Sequence, residues 1–69
     1  SRRVEVAKNS QVKSSIVMAN CKFEPGSQVE YAVIDKNVVI KKNVTVKGTP
    51  QQPVVVKKGT ILTKDLINE

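Results

Sequence analysis

Sixty-nine residues with twelve basic and six acidic side chains, a net charge of +6, leave room for one small domain and no second one. One cysteine and no histidine exclude a disulfide scaffold, His-based zinc sites, and Ser-His-Asp or Cys-His catalysis. No run reaches the roughly 18 apolar residues of a membrane helix, and no segment has the pattern of a signal peptide.

Hydrophobic residues make up 39% of the chain, but thirteen of them are valine and five isoleucine, against two leucines. The aromatics are Phe23 and Tyr31 alone. This β-branched excess points to strands. A chain of this length buries only about 60% of the surface its unfolded form exposes. Its stability must therefore come from a regular stack of sheet, or from a larger protein of which it is a piece. The opening Ser1-Arg2-Arg3 lacks an initiator methionine, which fits a processed or engineered start. A lone Cys21 fits a reducing compartment, and a cytoplasmic location is expected.

In chain order the elements repeat. Residues 9–25 align with residues 26–42: Ser10 with Ser27, Gln11 with Gln28, Val12 with Val29, and Asn20 with Asn37. The register runs on to Val46 below Val29. One apolar series is Val6, Val12, Val17, Phe23, Val29, Ile34, Ile40 and Val46, spaced by six, five, six, six, five, six and six residues. A second series four places on is Ser10, Ile16, Cys21, Ser27, Val33, Val38 and Val44. Sides of six, six and five residues close one coil of about 17, whereas a helix would repeat at about 3.6. This pattern predicts a single-stranded parallel β-helix of triangular section. The corner positions before the second series hold Asn9, Asn20, Gly26, Asn37 and Asn43, residue types that tolerate positive φ. Ser15 and Ala32 do not fit, and both lie on the five-residue side, which must turn differently.

The register breaks after Lys47. The run Gly48-Thr-Pro-Gln-Gln-Pro53 carries turn residues and two prolines that cannot donate to a strand ladder. Val54–Val56 and Thr60–Leu62 flank Lys57-Lys58-Gly59 and predict a hairpin capping the open coil end. The tail from Thr63 adds one helical turn or frays. The expected division is coils over 1–47, about two and a half of them, and a C-terminal cap and tail over 48–69. Together they form one all-β domain.

Chemistry is sparse along these coils. Acyltransferases built on hexapeptide coils deprotonate their acceptor with a histidine, which this chain lacks. Cys21 falls at an inward corner and reads as a small buried hydrophobe. Glu24, Glu30 and Asp35 scatter over outward positions, with Asp35 and Lys36 together at one turn. Catalytic, cofactor-binding and metal-ligating residues are all expected to be absent. The candidate contacts for an anion or partner are Lys41, Lys42, Lys57 and Lys58, whose alternative role is solvated surface. Nucleic-acid binding is disfavoured because stacking aromatics and a reading helix are missing. Outward Val39, with Met18 and Tyr31, could add apolar surface for a neighbouring domain or subunit.

The coil phrases resemble a known family. Ser15-Ile-Val-Met18 and Glu30-Tyr-Ala-Val-Ile-Asp-Lys-Asn-Val38 are similar to the C-terminal coils of bacterial ADP-glucose pyrophosphorylase, that is, glucose-1-phosphate adenylyltransferase. The closing Gly48-Thr-Pro-Gln-Gln-Pro-Val-Val-Val-Lys-Lys-Gly59 resembles the ending of its non-catalytic, GlgD-type subunit. The likeness spans roughly residues 9–60. It implies a left-handed β-helix of hexapeptide-repeat type, a hand that coil spacing does not determine. It also implies a preceding nucleotidyltransferase domain, which joins ATP and glucose 1-phosphate with Mg²⁺ and feeds glycogen synthesis. The β-helix would pack on that domain, help build a hetero- or homo-tetramer with the catalytic subunit, and help transmit effector binding. Two alternatives stand beside it: a stand-alone basic module for an anionic ligand or nucleic acid, and the tail of another sugar-nucleotide transferase.

Overall fold

A computed structural model describes residues 3–68. Eleven short strands and no helix make up the described residues, so none contains a helix able to cross a membrane. In chain order they are β1 (Val4–Val6), β2 (Gln11–Lys13), β3 (Ile16–Val17), β4 (Cys21–Phe23), β5 (Gln28–Glu30) and β6 (Ala32–Ile34). They continue as β7 (Val39–Ile40), β8 (Thr45–Lys47), β9 (Val54–Val56), β10 (Ile61–Leu62) and β11 (Leu66–Ile67). Every third strand lies on the same side of a three-sided prism. Face A stacks β1-β4-β7-β10, face B stacks β2-β5-β8-β11, and face C stacks β3-β6-β9. All pairings are parallel. The chain thus winds through three coils and two sides of a fourth.

The 17-residue alignment is the strand register itself: Val12 pairs with Val29, Val29 with Val46, and Val17 with Ile34. Identical or similar side chains therefore stack one above another along the axis. Phe23, Val29, Ile34, Ile40 and Val46 are buried to 1% exposure or less. Cys21, Ala32, Val38, Val44, Val54 and Val56 complete the core column. Val12 and Val17 point the same way but stay half-buried, because they belong to the first coil and no strand packs beneath them.

The corners follow the sequence on two edges and depart from it on the third. Asn9, Asn20, Asn37, Asn43, Gly26 and Gly59 all adopt positive φ. Corner amides bond the coil before, as in Asn37 N to Ala19 O at 3.1 Å and Gly59 N to Lys36 O at 2.9 Å. On the five-residue side the positive-φ residues are Ser14 and Tyr31, one place earlier than the Ser15 and Ala32 positions expected. The early turn swings Ala32 into the core, where it is 2% exposed, and sends Ile16 and Val33 outward. The expected inward placement of Ile16 and Val33 is thereby corrected.

The expected capping hairpin does not form. β9 and β10 are not partners of each other: β9 pairs with β6 on face C and β10 with β7 on face A, both parallel. The tail likewise forms β11 on β8 instead of a helical turn. The coil winds on, and Gly48–Pro53 is an extra loop at one corner. It lengthens the register step from 17 to 22 residues, as between Ile34 and Val56, so the coil vanishes from a 17-residue alignment. Gly48 starts that loop from a buried position, and a Cβ there would run into the backbone oxygen of Tyr31 and the amide nitrogen of Val54. The hairpin pattern was misleading because a parallel coil and a hairpin share the same short strand–turn–strand text.

Candidate functional site

The four lysines singled out above lie on two edges of the prism. Lys41 and Lys42 form the corner after β7, between faces A and B. Lys57 and Lys58 form the corner before β10, between faces C and A. Because β7 and β10 are parallel neighbours, the two pairs sit at opposite ends of face A. Within the first pair, Lys41 is engaged: its Nζ lies 3.2 Å from Glu24 Oε2 one coil below. The amide of Lys42 donates to the other oxygen, Oε1, at 3.2 Å. The hydrogen bond from Lys41 is the largest influence holding the Glu24 carboxyl below its ordinary value of 4.5, and the positive charges of Lys41 and Lys22 and the Lys42 amide add to it. Lys42, Lys57 and Lys58 are exposed.

Other candidates resolve into structural roles. The Cys21 thiol is 2% exposed and donates to Asp35 O at 2.9 Å, tying the C–A corner of one coil to the next. Ser27, fully buried, reaches Ser10 Oγ at 3.3 Å, and Ser10 in turn donates to Glu24 O at 2.8 Å. These hydroxyls satisfy buried polar groups at an inward corner. Two shallow grooves mark the outer surface. One, about 200 Å³, runs along face B between the row Gln11, Gln28, Thr45 and the row Lys13, Glu30, Lys47. The other, about 370 Å³, crosses face A near Arg3, Asn20 and Lys22. Among the described residues no three His, Cys, Asp or Glu side chains gather where a metal ion could be held.

Face C differs from both. Its outward row is Ile16, Val33 and Val55, paired in register across three coils. Ile16 and Val55 are each 62% exposed, and Val33 is half-buried. The segments that build this face and its border with face B, residues 14–19, 31–34 and 48–56, contain none of the chain's twelve basic or six acidic residues. A soluble surface of ordinary composition is about 25–35% charged. Sequence reasoning missed this face because it placed Ile16 and Val33 inside. The missing charges in those three segments were the available signal. Of the apolar positions it did name, Val39 is outward on face A, aligned with Lys22 and Ile61, while Met18 and Tyr31 are half-buried.

The stacked parallel coils with a 17-residue step define a hexapeptide-repeat β-helix domain. A family model for the GlmU-like, C-terminal hexapeptide matches residues 1–54, and the chain belongs to that family. No curated protein and no solved structure matches the chain significantly.

Proposed function

We propose that the chain is the C-terminal structural and regulatory domain of a glucose-1-phosphate adenylyltransferase subunit in glycogen biosynthesis, most like the non-catalytic GlgD-type subunit. The observation that carries this reading is face C: an apolar row aligned over three coils, whose strands and border with face B carry no charged residue. Such a surface is built to be covered by protein. Family membership and the coil phrases Ser15–Met18 and Glu30–Val38 supply the rest of the support.

In this reading the domain packs on its own nucleotidyltransferase domain, joins the catalytic subunit in a cytoplasmic tetramer, and carries effector signals between them. It performs no catalysis. ATP and Mg²⁺ belong to the nucleotidyltransferase domain. The residues here do not fit Mg²⁺, which takes clustered carboxylate oxygens, whereas Glu24 is already paired with Lys41. Lys41, Lys42, Lys57 and Lys58 serve as the contacts to an anion or partner at the ends of face A.

The test is co-expression of the catalytic subunit with the parent subunit, intact or lacking residues 1–69. The truncated parent is expected to lose co-purification with the catalytic subunit and the effector response of ADP-glucose synthesis. Retention of both by the truncated parent would overturn the proposal.

A further inference from the structure

Resting on the reading of Lys41, Lys42, Lys57 and Lys58 as contact residues, we infer that face A docks flat on a bilayer surface containing anionic phospholipid. The charge of the molecule is concentrated there. Residues 3–9, 18–26, 35–43 and 57–65 build face A and its two edges, and they hold nine of the twelve basic side chains and four of the six acidic ones. They therefore carry +5 of the net +6. Two of those four acids are already engaged within the protein, Glu24 by Lys41 and Asp65 by the Thr45 amide. Lys36 and Lys58 stand in successive coils on the C–A edge, and Lys42 and Lys64 do so on the A–B edge. All four are exposed.

Shape selects the occupant. Face A stacks four parallel strands, roughly 15 Å along the axis at about 4.8 Å per step. Its two lysine edges are six residues apart in the chain, as from Lys36 to Lys42, a span of up to about 20 Å. Between them the outward row runs Glu5, Lys22, Val39 and Ile61. Ile61 is 63% exposed and Val39 half-buried, so the C-terminal half of the row is apolar with lysine on either side. An acidic helix, about 10–12 Å across, is too narrow to reach both edges. The convex surface of a nucleic-acid duplex would press on the apolar centre and miss the lysines. A plane of phosphate headgroups meets both edges at once, while Ile61 and Val39 enter between the headgroups beside the lysine stems. In the N-terminal half of the face, the groove of about 370 Å³ beside Arg3, Asn20 and Lys22 offers a headgroup phosphate two cations.

Co-sedimentation of the 69-residue chain with large vesicles tests this, using phosphatidylcholine alone or with about 30% phosphatidylglycerol, at about 100 mM salt. The chain should pellet with the mixed vesicles and stay in solution with phosphatidylcholine. Lys42→Gln with Lys58→Gln, one change on each edge of face A, should weaken partitioning about tenfold or more. Lys13→Gln with Lys47→Gln on face B alters the net charge equally and should leave partitioning within about twofold, because face B stands more than a Debye length from the headgroups. Equal loss from both pairs, or no binding of the original chain to mixed vesicles, would overturn the inference. So would tighter binding to a DNA duplex than to mixed vesicles at the same salt. Ile61→Cys carrying an environment-sensitive dye gives a second readout, since the native Cys21 is buried. Its emission should shift to the blue on mixed vesicles, whereas Val55→Cys on face C, labelled in the same way, should not shift. Equal shifts at both positions would also overturn the inference. Absent vesicle binding combined with lost co-purification in the truncation experiment would remove the membrane contact and leave the proposed function standing.

Discussion

Phe23 is the largest side chain in the column, 1% exposed, with Val6 below it and Ile40 above it in register. In a prism this narrow, a removed ring leaves a cavity that neighbouring coils cannot close without breaking their own ladders. Phe23→Ala should cost about 3–5 kcal/mol. The whole stability of a domain this size is about 3–10 kcal/mol. Urea or thermal melts followed by circular dichroism should show the variant largely unfolded at 37 °C. A near-neutral result would mean that Phe23 is not in the core. The same narrowness explains the composition. One large ring is accommodated, and the remaining inward places take valine, isoleucine, alanine, serine or cysteine.

The elements are held at their corners as well as along their strands. At the A–B edge, Glu24 spans two coils, accepting from Lys41 Nζ and from the Lys42 amide. Asp65 does the same one coil on, accepting from the Thr45 amide at 2.9 Å. Because folding depresses the Glu24 pKa, its contribution is present above the ordinary carboxylate value and is lost as pH falls through the depressed one. Glu24→Gln should therefore be less stable than the original chain near neutral pH. The gap between their melting temperatures should close as pH is lowered through and below the ordinary carboxylate range. A gap independent of pH would mean the carboxylate charge is not what matters. The edge is solvent-exposed, so the effect should be small and reduced by salt.

At this scale it is also clear what could be read from the sequence. The coil, its 17-residue step and five of the seven corners were legible, because each coil repeats the same inward pattern and Asn or Gly marks the turns. The B–C corner was not legible. Ser14 and Tyr31 take positive φ although neither residue type advertises it, and a one-residue shift there exchanges inside for outside. The fourth coil was hidden by the Gly48–Pro53 loop, since periodicity carries no information across an insertion. Face C, the surface on which the functional proposal turns, depended on that shifted corner and so was missed with it.

Over the whole molecule, the coils are not equivalent. Val4 and Val6 are 39% and 51% exposed, while Cys21 and Phe23, their register partners one coil above, are 2% and 1% exposed. At the other end Leu66 and Ile67 are 37% and 50% exposed. Only the second coil has a neighbour on both sides at every face; the third has one on faces A and B but none above β9 on face C. In a stack where each layer touches only the next, opening can start at either end and needs no global transition. Amide hydrogen exchange should therefore be slowest around Val29, Ile34 and Val46, and faster by orders of magnitude in β1 and β11. Uniform protection from β1 to β11 would show instead that the stack opens as one unit. The graded exposure of the valine column thus makes the ends of this prism a reservoir of local unfolding. Any partner that covers an end would register first as slowed exchange there, before any change of shape.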